Sequence, residues 1–174
     1  RSVRVYRHRL GSATEADRPF FGWDVSPDYG FGDRLLPFVS LPLGSSHAIG
    51  LVSTGVSPNF AFYVAPIGSL DEDPVPWRQV AGLEDQVRQV AIHGDHLYLL
   101  SFKDAPRSKV LRCSLQEPDL ESAETVWPES EAIVEDIVAA RDGLYLENVE
   151  AGASRLYRID HATLRAEAIV LPPD

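Results

Sequence analysis

The sequence predicts an all-β chain, a partial β-propeller of about three four-stranded antiparallel blades with flanking strands. Three observations point there. Short runs rich in Val, Leu and Tyr are punctuated by Gly, Pro and Asp, with no long amphipathic stripe of helix formers. One hairpin is written twice, as HLYLLSFKDAPRSKVLRCSL from His96 to Leu115 and as GLYLENVEAGASRLYRID from Gly143 to Asp160. Finally, Val5, Phe62, Val110 and Leu156 fall in register within similar apolar segments. The last two intervals match a blade period of about 40–50 residues.

Taken in order, residues 1–10 hold RVYRHRL, expected as the closing strand of a preceding blade. Residues 20–67 form a first blade, with WDVSPDYG as an inner strand and turn, LLPFVSL and AIGLVSTG as the middle pair, and FAFYVAPI as its last strand. Within it the insertion GFGDRL falls outside the repeat, and Trp23 is expected to pack between blades. Residues 77–115 form the next blade: Trp77 to Val80, Val87 to Ile92, a tight HGDH turn, Leu97 to Phe102, then KVLRCSL. Residues 124–160 repeat the plan with TVW, IVEDIVAA, an RDG turn, LYLENV and RLYRI, the Asp-Gly pair being a strong hairpin signal. Residues 165–174 start another unit. RVYRHRL, lacking a hairpin mate, is expected to pair with AEAIV (Ala166 to Val170) or with another molecule, so self-association is expected.

The totals narrow the function. A chain of 174 residues with 44% hydrophobic content suits one domain or a piece of a larger one. A net charge of −10 argues against a nucleic-acid partner. The acidity is local: no Lys or Arg lies between Arg112 and Arg141, an interval that reads as a solvated rim. The lone Cys113 excludes an internal disulfide; it shares parity with Leu111 and Leu115 and reads as a small buried hydrophobe. No apolar run is long enough to span a membrane, and the arginine-rich start lacks a signal core, so a cytoplasmic chain is expected.

No stretch amounts to a catalytic, cofactor or metal site, and none is assigned. GFGDRL, Gly30 to Leu35, lacks the closing glycine and the helix of a dinucleotide fingerprint. GSSH, Gly44 to His47, is not the GxSxG of a nucleophile elbow and reads as a polar loop. His93 and His96 have metal-ligand chemistry, but Cys113 and His161 complete a set by residue type only, so water-facing turn histidines are expected. Glu135 and Asp136, adjacent on a strand, would point to opposite faces, a poor acid–base pair. Tyr98, Tyr145 and Tyr157 recur with the blades and read as packing residues.

Several stretches resemble the propeller domain of the prolyl oligopeptidase family. VYRHRLG is similar to a blade-ending segment, and VSPDYG (Val25 to Gly30) to the turn after a blade's first strand. DHLYLLSFKDAPRSKVLRCSLQEPD resembles a blade built around a loop with Pro and a basic residue. TVWPESEAIVEDIVAARDGLYL resembles the unit after it, with Pro128 and Glu129 before an apolar inner strand. The similarity covers most of the chain in order. It implies a serine peptidase that cuts short peptides after proline, in which a seven-bladed propeller caps an α/β-hydrolase domain and restricts entry. The triad belongs to that hydrolase domain, and none of its motifs can be placed here, so no catalytic residue carries over. Seven blades need roughly 300 residues, so the chain reads as the second half of such a propeller, itself not an enzyme. Its implied partners are the hydrolase domain and short proline-containing peptides. The alternative is an independent propeller-like module that binds a protein partner through its loops.

Overall fold

The computed structural model describes residues 3–23, 25 and 35–170, which fall into two compact units, Arg1–Leu83 and Glu84–Asp174. GFGDRL, up to its last residue, and most of VSPDYG lie outside the described residues. The fold is all-β, and the described residues form three four-stranded antiparallel sheets and one two-stranded sheet.

In the first unit, β1 (Val5–Arg7) pairs with β2 (Arg18–Phe21). The four-stranded sheet contains β3 (Leu36–Ser40), β4 (His47–Ser53), β5 (Ala61–Pro66) and β6 (Arg78–Ala81), adjacent in chain order. Its core gathers Phe20 and Phe21 from β2, Ala48 and Val52 from β4, Tyr63 and Ala65 from β5, and Trp77 just before β6. The Phe21 ring lies 4.9 Å from Trp77 and 5.5 Å from Tyr63, separations typical of favourable aromatic pairs. The buried indole N–H of Trp77 donates to the Phe20 carbonyl at 3.0 Å, so its one polar atom is satisfied. Gly50 sits mid-strand opposite Tyr63 because Phe21 covers its backbone. A Cβ there would come 2.8 Å from the edge of that ring.

The second unit holds two sheets. One is β7 (Val87–His93), β8 (His96–Ser101), β9 (Lys109–Ser114) and β10 (Glu124–Trp127). The other is β11 (Ile133–Ala139), β12 (Leu144–Glu150), β13 (Ala153–Ile159) and β14 (Ala166–Ile169). Strand β8 shows why its sequence is almost wholly apolar. Leu97, Tyr98, Leu99 and Leu100 are all buried, so both faces of the sheet are covered there. Each fully buried leucine contributes about 1.5–3 kcal/mol relative to exposure. The two sheets share one core, with Ala91, Tyr98, Leu100 and Val110 facing Val134, Ile137, Leu144, Leu146 and Ile159.

The hairpins end in the turns their sequences predict. Gly94 takes φ +55° in the two-residue turn between β7 and β8. Gly143 is required after Asp142, because a Cβ would approach the Ile159 carbonyl oxygen to 2.9 Å.

The repeat is present, but its strands group differently from the expectation. Phe62, Val110 and Leu156 all lie on third strands, β5, β9 and β13, not on fourth ones. Arg78–Ala81, expected to open a blade, closes the preceding one by pairing with β5. Glu124–Trp127 likewise closes the β7 sheet, and Ala166–Ile169 closes the β11 sheet. The pairing expected between RVYRHRL and AEAIV is replaced by two local ones. Val5–Arg7 has its own mate in Arg18–Phe21, and Ala166–Ile169 pairs with β13. By register, β1 and β2 correspond to the third and fourth strands of the other sheets.

Candidate functional site: a polar seam and a histidine pair

Strands β7 and β11 are the first strands of their blades and lie against each other within the second unit. They are joined largely by side chains. Gln89 of β7 acts as a substitute peptide group. Its Nε2 donates to the Ile137 carbonyl at 2.9 Å, and its Oε1 accepts the Ile137 N–H at 3.2 Å. The same Nε2 lies 2.6 Å from Asp136 Oδ1. Arg88 donates to the Val134 carbonyl and lies 3.7 Å from Glu135. At the far end, the Val134 N–H donates to the Arg107 carbonyl at 3.1 Å, and the Arg107 N–H to Glu129 at 2.8 Å.

The adjacent acids Glu135 and Asp136 do not diverge as strict alternation predicts. The register of β11 shifts between Val134 and Asp136, and this bulge re-aims the pair so that both carboxylates meet β7 side chains. Removing the Gln89 amide strands both polar groups of Ile137. Gln89→Ala is expected to destabilise the chain by about 1–3 kcal/mol, and Gln89→Glu, which loses the donor, by a similar amount. Urea unfolding of the two variants checks this.

The other end of the seam carries the histidines. His93 ends β7, and His161 follows β13. Their rings stack with centroids 3.5 Å apart and planes 10° from parallel. His161 Nε2 lies 2.9 Å from the Ala140 carbonyl, which can only accept, so this nitrogen carries the proton. Nδ1 is then the acceptor, and the Tyr98 hydroxyl, 2.9 Å away, donates to it. Arg112 of β9 donates to the His161 carbonyl at 2.9 Å and is held by Glu124 of β10 at 2.6 Å. His161 is thus a plug from one blade seated in a corner of the next.

The electrostatics favour a neutral His93 ring. Burial lowers the His93 pKa below its ordinary 6.5, and His161 lowers it further, although the Ala140 carbonyl partly offsets both. Burial also pushes the Tyr98 phenol upward, so it stays a donor throughout the neutral range. Asp160, next to His161, is held below its ordinary range by the Thr163 N–H and hydroxyl. Both His161 nitrogens are engaged, so the arrangement holds structure together and offers no free base.

His93 and His96 face each other across the hairpin, but His96 is exposed while His93 turns to His161. Among the described residues, no group of three His, Cys, Asp or Glu side chains is placed to hold a metal ion. Cys113 is half-buried, less than its parity suggested, whereas Leu115 is fully buried. In the GSSH loop, Ser45 accepts the His47 N–H and donates to the His47 carbonyl, while Ser46 Oγ lies 2.9 Å from His47 Nδ1. That is turn chemistry. Trp23 is more than a third exposed. Tyr98 packs as expected, and Tyr157 lies 4.9 Å from Trp127. Tyr145 instead donates its hydroxyl to Asp142 at the hairpin turn. Sequence reasoning had no signal for His161 meeting Tyr98, which are 63 residues apart.

Comparison with known proteins agrees with this architecture. No curated protein matches the chain. Among solved structures, a prolyl endopeptidase studied for the role of inter-domain dynamics in catalysis and specificity superposes with a TM-score of 0.79 at 25% identity, over 97% of this chain and 24% of that one. Oligopeptidase B from Leishmania major gives 0.76 at 18% identity, over 98% and 24%. Prolyl oligopeptidase B from Galerina marginata, bound to a 35-residue hydrolysis and macrocyclization substrate, gives 0.74 at 16% identity, over 95% and 23%. The chain therefore spans about a quarter of the length of these relatives. The profile of the prolyl oligopeptidase N-terminal β-propeller domain, a non-catalytic region, matches residues 1–171, and the chain belongs to that family.

Proposed function

We propose that the chain serves as part of a gating propeller in a prolyl oligopeptidase-type serine peptidase. In this reading it limits access of short proline-containing peptides to an α/β-hydrolase domain outside these 174 residues. The observation that carries the proposal is the family match over residues 1–171, on a chain whose blades are regular and whose polar side chains are spent on structure. A gate needs walls that hold shape while peptides pass. The seam provides that stiffness, because Gln89, Arg88 and Arg107 tie one blade's first strand to the next by several directional bonds. Chemistry would come from the hydrolase domain.

Two experiments test this. The isolated chain should not cleave a chromogenic Gly-Pro peptide or take up a fluorophosphonate label on any serine. The same chain produced with the sequence that follows it in its gene should do both, and should cleave short peptides while sparing the same site in a folded protein. Stoichiometric labelling of a serine within residues 1–174, or an extended chain that cuts long and short substrates equally, would overturn the proposal. A stop codon directly after Asp174 would favour the independent interaction module instead.

A further inference from the structure

We propose that His93 and His161 form an acid-released clasp between the two blades of the second unit, closed while His93 is neutral and opened by a proton on that ring. The inference rests on the cluster's geometry and is independent of the peptidase reading. His161 reaches from its own blade into the neighbouring one, where it meets His93 on β7, Tyr98 on β8 and Arg112 on β9. Its lone acceptor site, Nδ1, takes the Tyr98 hydroxyl proton. A proton on His93 sets a cation against the stacked ring of His161, and the Ala140 carbonyl answers it only in part.

The charged groups around the pair do not cancel this. Glu124 of β10 faces the cluster but is already bound to Arg112 at 2.6 Å. Asp160, preceding His161, accepts the N–H groups of Ala162 and Thr163 and the Thr163 hydroxyl. His96, at the start of β8, is exposed on the other side of the turn. The sign follows from the neutral preference of His93 in the folded chain. The unfolded chain binds more protons on His93 than the folded chain does. Closure is therefore complete above the ordinary histidine value of 6.5 and weakens as pH falls through and below it. Gln89 and Ile137 sit further along the same seam and report its opening, because the Ile137 amide is protected by the Gln89 side chain.

The test is an NMR titration of the 174-residue chain from pH 8 to pH 5. The expected His93 midpoint lies below 6.5, and it moves up when His161 is replaced by Gln. Amide exchange at Ile137, corrected for intrinsic rates, should accelerate at least about threefold between pH 7.5 and pH 5.5. In His93→Gln, which keeps a polar planar group but cannot titrate, the acceleration should vanish. A wild-type His93 midpoint at or above 6.5, or Ile137 protection that does not change with pH, would overturn the clasp. Both are read on the unmodified chain, so the outcome does not depend on a variant folding.

Discussion

Trp77→Ala is expected to destabilise the first unit by about 3–5 kcal/mol, the range for removing a large aromatic from a packed core. Three losses coincide. The indole is almost fully buried and touches both Phe20 and Phe21, with centroids at 5.8 Å and 4.9 Å. Its absence leaves a cavity that β2 and β6, tied into separate sheets, cannot close. It also strands the Phe20 carbonyl, which accepts the indole N–H. Trp77→Phe retains much of the packing but not that hydrogen bond, and should cost less than half as much. Val56→Ala, at an almost fully exposed position, should stay within about 0.5 kcal/mol of the parent. Urea unfolding followed by fluorescence or by far-UV dichroism ranks the three. A Trp77→Ala chain within about 1 kcal/mol of the parent would show that the aromatic cluster does not hold this unit together.

The second large effect is expected at Tyr98. Tyr98→Ala should cost about 3–5 kcal/mol, because the ring is buried in the core shared by the two blades. Tyr98→Phe separates packing from hydrogen bonding. It keeps the ring and removes the hydroxyl, which donates to His161 Nδ1 and also meets Arg112, so about 1–2 kcal/mol is expected. Thermal midpoints at pH 7.5 rank the two variants. Equal losses in the two variants would mean that the hydroxyl, not the ring, dominates, contrary to the burial.

Much of the fold was legible because strands alternate and turns carry glycine. HLYLLSF and GLYLENV announce central strands, and Gly94 and Gly143 sit where the hairpins reverse. What the letters did not show is which neighbour a fourth strand joins. Arg78–Ala81 lies closer in sequence to β7 than to β5, and proximity suggested the wrong partner. Hydrogen bonding across a long loop leaves no periodic trace, whereas pairing across a tight turn does. The bulge at Glu135 is similarly silent, because an extra residue in a strand looks like any other. The histidine pair was only half visible. The chemistry of His93 stood out beside His96, three residues along the turn, and His161 was named by residue type alone; it is His161, from the adjoining blade, that stacks on His93.

The seam between β7 and β11 has a consequence for how such chains diversify. A sheet extended by a continuous backbone ladder ties each strand to a fixed neighbour along its whole length. Here, beside the apolar core that the two blades share, the polar part of the joint depends on a few positions, chiefly Arg88, Gln89, Arg107 and His161. A blade duplicated in the gene, or exchanged with one from a relative, inherits a working joint if those positions match. Surface loops such as QEPDLESAE can then change length and charge without disturbing the stack.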